Sequence, residues 1–352
     1  MKIKNGLLSL FCAFAIHLSS ISQTNIVKAK ILDAGTQEAE KNYNNGIANF
    51  EKKNFKGAIS DYAKAIALKP DFEQAYYNSG IAKFEMKDKT GAIADFDKSI
   101  SLTQNPESYF SRGQVKYALG DTSGATADYT KTIELKANHA KAYYYRGGIK
   151  FENGEYTKAI EDFTEAIKIM PDYAYAYNDR GSAKLKMSDF DGAIVDYNAA
   201  LILNSDMAFT YNNLASAKRK NGDFKGAIID YTEAINQKKN YYIAYNNRGS
   251  AKFDDKDYYG AIADFNTAIE IKPDYSYAFN NRASAKFSLK DYPGCIEDFT
   301  KAIQLNPNYG YAYLNRGIAK EKSGDKSGSC ADWTKAIELG VESAKYFTAD
   351  CK

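Results

Sequence analysis

The sequence predicts an all-α fold of stacked antiparallel helix pairs. Three observations carry this reading. Small residues return at a fixed period, aromatic residues return in phase with them, and every period divides at a polar turn into two stretches of helical spacing.

The small residues come first. Gly46, Gly80, Gly113, Gly147, Gly181, Ala215, Gly249, Ala283 and Gly317 are spaced by 34, with one step of 33. Twelve residues after each stands a second small residue, from Ala58 to Cys295 and Ser329, and seven further on a third, from Ala65 to Ala336. The aromatics Tyr62, Phe96, Tyr129, Phe163, Tyr197, Tyr231, Phe265, Phe299 and Trp333 keep the same step. Within each unit the apolar positions fall three, four and seven apart, which is helical spacing. Turns such as Asn221-Gly222-Asp223-Phe224 cut the unit into two helices. Small residues let the helix axes approach and aromatics fill the wedge between pairs. A lone pair cannot bury such a face, so the units must stack.

The pattern resembles the tetratricopeptide repeat family over about residues 39–343. The fourth repeat shows the motif well in Tyr143, Gly147, Ala159, Phe163, Ala166 and Pro171. Asn42 departs from it where the first aromatic belongs, and the closing proline survives only at Pro70, Pro171, Pro273 and Pro307. The resemblance implies a right-handed superhelical solenoid with a concave groove lined by the first helices. Nine repeats start at 39, 73, 106, 140, 174, 208, 242, 276 and 310, preceded by a linker at 23–38 and followed by a capping helix at 344–352.

Positions are numbered here from each start. Position 23 is aspartate throughout, from Asp61 to Asp332, position 7 is arginine in six repeats and position 11 is lysine in eight. We expect each aspartate to meet a cation on the next unit's first helix, as in Asp230–Arg248 and Asp264–Arg282, leaving Asp61 and Asp196 without arginine. Such pairs fix register more than they add stability.

Positions 2, 5 and 6 are expected to face the groove. In the first four repeats position 5 is Tyr43, Tyr77, Phe110 and Tyr144; from the fifth it is Asn178, Asn212, Asn246 and Asn280. Position 2 then turns aromatic or apolar, with Tyr175, Phe209, Ile243, Tyr277 and Tyr311. Position 6 is mostly asparagine, including Asn213, Asn247 and Asn281, whose amide both donates and accepts. Tyrosine brings contact area with a polar tip at low entropic cost. Tyr43, Tyr77, Tyr144, Tyr175, Phe209, Tyr277, Tyr311, Asn213, Asn247 and Asn281 are therefore the candidate contacts for a protein or peptide partner. Packing between repeats is the competing use of the aromatics, and a solvated polar face that of the asparagines.

Catalytic signatures do not occur: the sequence has no HExxH, phosphate-binding glycine loop or GxSxG. Beyond residues 1–22 His139 is the one histidine, which with so few cysteines is not expected to make a zinc site, so no metal, cofactor or enzyme activity is expected. The family's clamp for acidic C-terminal tails needs lysine at position 5, which is absent. Basic residues precede a short apolar run at 7–18 and a small polar stretch, the layout of an export signal at 1–22. Cleavage would remove Lys2 and Lys4 and lower the formal charge from +3 to +1, which argues against nucleic-acid binding. After it no segment is apolar enough to span a membrane. The expectation is an exported protein of the periplasm, outer envelope or medium. It would act as a scaffold for a protein or peptide, with cell-wall glycan binding or self-assembly as alternatives. In that compartment Cys330 and Cys351 are expected to form a disulfide that staples the last repeat, while Cys295 sits in a small-residue slot as a buried thiol.

Overall fold

The computed structural model describes residues 34–349 and 351. The export signal and most of the linker lie outside the described residues. The chain forms two compact units that divide between Ala183 and Lys184.

In residues 34–183 the helices are α1 (Ala34–Glu51), α2 (Phe55–Leu68), α3 (Glu73–Glu85), α4 (Lys89–Leu102), α5 (Pro106–Ala118), α6 (Thr122–Leu135), α7 (Ala140–Glu152), α8 (Tyr156–Ile169) and the start of α9 (Ala174–Lys186). From residue 184 follow the end of α9, then α10 (Phe190–Leu203), α11 (Ala208–Lys220), α12 (Phe224–Gln237), α13 (Tyr242–Asp254) and α14 (Tyr258–Ile271). The remaining ones are α15 (Ser276–Ser288), α16 (Tyr292–Leu305), α17 (Gly310–Lys322), α18 (Lys326–Glu338) and a 3₁₀ turn at Glu342–Phe347. Within each unit every first helix packs on the second helix of its repeat, which packs on the next first helix. Each unit is thus an all-α solenoid segment, and the described residues contain no strand.

Local chemistry sets the helix ends. Position 15, just past each first helix, has positive φ in all nine repeats, carried by Gly120, Gly154, Gly222 and Gly324 but also by Lys53, Lys87, Ser188, Lys256 and Lys290. Asp or Asn at position 16 then caps the second helix by accepting from the amide of the glycine three residues on, as Asp223 does from Gly226. A Cβ on Gly226 would lie 2.0 Å from Asp223 Oδ2, so the cap requires glycine there. The fourth repeat makes the converse point: Lys158 holds that position, and Glu155 makes no cap bond but pairs with Lys158 at 2.6 Å.

The core repeats with the sequence. The position-24 aromatics from Tyr62 to Phe299 are fully buried or nearly so, against position 8. A Cβ on Gly46 would meet the Tyr62 ring at 2.5 Å. Burying one such side chain contributes about 1.5–3 kcal/mol. The shortened step at repeat three is held by the buried carboxylate of Glu73, which accepts from Ser99 Oγ at 2.6 Å and Asn105 Nδ2 at 3.1 Å.

Both ends differ from expectation. The first helix starts at Ala34, so 34–38 belong to it rather than to a linker. The expected capping helix at 344–352 is instead the 3₁₀ turn ending at Phe347, whose ring packs tilted against Trp333 at 5.4 Å. Cys330 and Cys351 are bonded, with Cα atoms 5.5 Å apart. Cys295 is a buried free thiol, and burial pushes its pKa up to about 12.

Candidate functional site

The recurring charges come together inside each repeat. Arg248 Nε and Nη2 donate to both oxygens of Asp264, 16 residues later, at 2.9 and 2.6 Å. Arg112–Asp128, Arg146–Asp162, Arg282–Asp298 and Arg316–Asp332 repeat this two-pronged geometry. The position-11 lysine completes the cluster, as Lys252 does 2.9 Å from Asp264. The ring at position 4 covers the guanidinium, with Arg248 5.4 Å from the Tyr245 centroid.

This corrects the expected pairs Asp230–Arg248 and Asp264–Arg282: the carboxylate partner lies in the arginine's own repeat. The link to the neighbouring repeat is made by Nη1, which reaches position 25 of the preceding unit. Arg146 binds Thr130, Arg248 Thr232, Arg282 Asn266 and Arg316 Thr300, while Arg112 reaches Asp97. The aspartates without arginine are accordingly Asp95 and Asp230, whose repeats carry Ser79 and Leu214, together with Asp61, whose own repeat carries Asn45; Asp196, expected to lack one, has Arg180 in its repeat. Asp61 accepts from Asn49 at 2.8 Å and pairs with Lys64. Asp196 pairs with Lys184. Asp95 and Asp230 each have a lysine at 2.6 Å, out of line for a directed hydrogen bond. Burial raises the Asp230 pKa against that lysine's pull.

The face at positions 5 and 6 is largely interior. Tyr43, Tyr77 and Tyr144 are buried, as are Asn213 and Asn281, while Asn247 is half-buried. Within each unit, position-5 groups meet position 6 of the following repeat, up to the last rung. In 34–183, Tyr43 Oη accepts from Asn78 at 2.8 Å and Tyr144 Oη donates to Asp179 at 2.7 Å. Tyr77 Oη lies 3.5 Å from Ser111 Oγ, and Phe110, lacking a hydroxyl, meets the Tyr145 ring at 5.7 Å. In 184–352 the same rung is amide to amide: Asn247 donates to Asn212 at 3.1 Å and Asn281 to Asn246 at 3.0 Å. Asn246 and Asn280 in turn donate to Asn247 and Asn281 at 3.3 Å. The last rung is open: Asn280 Oδ1 and Asn315 Nδ2 are buried without a hydrogen-bond partner. Asp179 carries a carboxyl in a slot that is mostly asparagine, and burial raises its pKa to about 6 against the hydrogen bonds from Tyr144 and Asn178.

The aromatics at position 2 are half-buried: Tyr175 in the first unit, and Phe209, Tyr277 and Tyr311 in the second. Tyr277 packs edge-on against Tyr309 at 5.2 Å and meets Tyr275 at 5.6 Å, so part of each ring serves the repeat junction. The remainder is solvent-facing. Sequence reasoning missed this division because a polar residue's burial depends on a partner 35 residues away. Among the described residues no His/Cys/Asp/Glu group could hold a metal ion, and no helix is long and apolar enough to cross a membrane.

Comparison with known proteins agrees with this architecture. A family profile described as TPR repeat matches residues 46–87 and 147–188, and profiles described as tetratricopeptide repeat match 73–106, 212–276 and 276–309. No curated protein matches the sequence significantly. A tetratricopeptide repeat protein from Parabacteroides merdae ATCC 43184 superposes with a TM-score of 0.55 at 16% identity, over 70% of this chain and 98% of that one. MamA aligns with 27% identity and a TM-score of 0.42, over 47% of this chain and 97% of its own. YrrB, described as a TPR protein with an unusual peptide-binding site, aligns at 20% identity and TM-score 0.44, over 52% and 95%. With the period, the paired helices and the family profiles in agreement, the chain belongs to the tetratricopeptide repeat family.

Proposed function

We propose that the protein is a non-enzymatic interaction scaffold that holds a protein or peptide segment against its first helices. The observation that carries this is the row at position 2. Phe209, Ile243, Tyr277 and Tyr311 recur at one step per repeat and keep part of their apolar surface in solvent. The asparagines behind them are committed to one another, so the contact is mainly aromatic, with the half-buried Asn247 the amide best placed to reach a backbone. Large half-exposed rings on a rigid scaffold are what binding hot spots are made of. Affinity capture from envelope extract with wild type and with Tyr277→Ala/Tyr311→Ala tests it. A partner retained by wild type should be lost by the folded double variant; equal retention would overturn the reading.

Export is part of the proposal. The segment at 1–22 has the layout of a signal, and the Cys330–Cys351 bond suits an oxidising compartment. N-terminal sequencing of the protein recovered from a periplasmic fraction should read from near residue 23; an intact Met1 would refute cleavage. A second reading, self-assembly, is favoured by apolar side chains on the second helices. Val195, Ile202 and Ile229 are 66, 85 and 68% exposed.

A further inference from the structure

One heptad beyond position 5, the first helices of repeats one to four carry another row. Position 12 is Phe50, Phe84, Tyr117 and Phe151, all half-buried, and position 13 is Glu51, Glu85, Ala118 and Glu152. Two contacts fix the register of this row. Tyr117 Oη donates to Glu152 Oε1 at 2.6 Å, and in the other unit Arg219 Nε donates to Asp254 Oδ2 at 2.6 Å. In both cases position 12 meets position 13 of the next repeat, 35 residues on.

By that register the neighbour of Glu85 is Phe50, which has nothing to donate. The Glu85 carboxylate makes no hydrogen bond or ion pair with any described residue, although it is only partly exposed. Burial alone pushes its pKa above the ordinary glutamate range. The first-helix positions around it are mostly acidic, while Lys89 reaches the row from the second helix and donates to Ala118 O at 2.7 Å. Positions 2, 9, 12 and 13 of these four repeats hold Glu40, Glu51, Glu85, Glu107 and Glu152 against Lys141 as the single base. Of these, Glu107 is already paired with Lys136 at 2.8 Å and near His139, which hold its pKa at about 2, and Glu152 is held by Tyr117. Of the other three, Glu40 is buried and Glu51 exposed, and Glu85 is the half-buried carboxylate beside a ring that cannot donate.

We propose that this aromatic and acidic row is a docking surface for an extended basic segment of a protein partner, with a lysine or arginine of that segment closing the open rung at Glu85. The chemistry fits on both sides. A cation supplies the donors that Phe50 cannot, and a charge-assisted bond to a half-desolvated carboxylate is stronger than one in open water. The methylene stem lies along the Phe rings, whose faces also attract the cation. An acidic segment would meet carboxylates at nearly every repeat. The proposal rests on the reading that the first helices bind protein, but it uses a different row from Tyr277 and Tyr311, so the two can fail separately.

The test is calorimetric titration of the full chain with two capped octapeptides, one alternating lysine with alanine and one alternating glutamate with alanine. The lysine peptide should bind, more weakly as salt rises, and the glutamate peptide should not. Glu85→Gln should weaken the lysine peptide about tenfold or more. Glu152→Gln, whose carboxylate already has a donor, should weaken it less. Tyr277→Ala/Tyr311→Ala should leave it unchanged. Absent binding of the lysine peptide, equal binding of the glutamate peptide, or an affinity indifferent to Glu85→Gln would each overturn the inference. Any of these together with partner capture that depends on Tyr277 and Tyr311 would leave the scaffold reading standing. Peptide binding without that capture would do the reverse.

Discussion

In residues 34–183 the junction between first helices is closed by tyrosine rings. Tyr43 and Tyr144 are buried, each packs on the ring at position 34 (Phe72 at 4.8 Å, Tyr173 at 4.7 Å), and each extends its hydroxyl to the next repeat. In residues 184–352 asparagine closes the same junction, and the ring at position 34 finds its aromatic neighbour at position 2 instead, as Tyr309 does in Tyr277. The aromatic has moved three residues back along the helix, from interior to half-buried. One region therefore holds its rung by apolar burial with a single hydrogen bond at the tip. The other holds it by amide hydrogen bonds and leaves its rings partly free. The proposed contact surface thus comes from the substitution that made the interior polar.

The comparison predicts unequal costs of truncation. Tyr144→Ala should be the most damaging change, at about 4 kcal/mol from the lost ring and the cavity it leaves. Hydrogen exchange of α7 and α9 against that of α15 would read it, since stacked repeats open locally. Asp179→Asn sharpens the same region. Its carboxyl has a folded pKa near 6 against an ordinary 3.8, so it contributes most below pH 4 and that contribution is lost as pH rises to 6. The variant should be more stable at neutral pH, by up to about 3 kcal/mol, and should flatten the stability profile between pH 4 and 6. Thermal melts across that range decide it, and unchanged pH dependence would sink the assignment.

The ion cluster is common to both regions and serves as a control. Asp298→Ala, which strands Arg282 and Lys286, should cost about 3 kcal/mol. Arg282→Leu should cost much less, because Leu214 already occupies that place in repeat six, buried to 2% exposure. A larger loss for the arginine in urea melts would break the picture. The smallest contrast lies within the asparagine rungs. Asn281→Ala removes closed bonds and should cost about 2 kcal/mol, whereas Asn315→Ala removes an amide that is already unpartnered and should cost under about 1 kcal/mol.

Much of this was legible in the sequence. The period of Gly46, Ala58, Tyr62 and their successors placed every helix pair, since close approach and ring burial admit few residue types. The pairing of Asp264 was not. Arg248 precedes it by 16 residues and Arg282 follows it by 18, and both separations suit antiparallel helices. Only the side on which the second helix packs selects Arg248. By pattern alone the face at positions 5 and 6, aromatic and then asparagine, lines the groove and should be exposed. Asn246 is polar and 2% exposed, because Asn281 supplies its donor from a unit whose own Asn280 is patterned identically. The open Glu85 was invisible for the opposite reason: its loneliness depends on what Phe50, 35 residues earlier, lacks.

The ion cluster closes within one repeat, with Arg, Lys and Asp all inside the same stretch of chain. A duplication or deletion of a whole repeat in the gene would therefore carry a complete cluster with it and leave no buried charge behind. What such an event must match is the rung, one side chain on each flank, and Nη1 of the arginine, which accepts Thr, Asn or Asp alike. Between neighbours with asparagine on both sides even the rung is self-compatible. The C-terminal half of the array is thus the part whose length can drift by recombination without passing through an unfolded ancestor. The tyrosine junctions, each matched to a different partner, hold the N-terminal half to a fixed order.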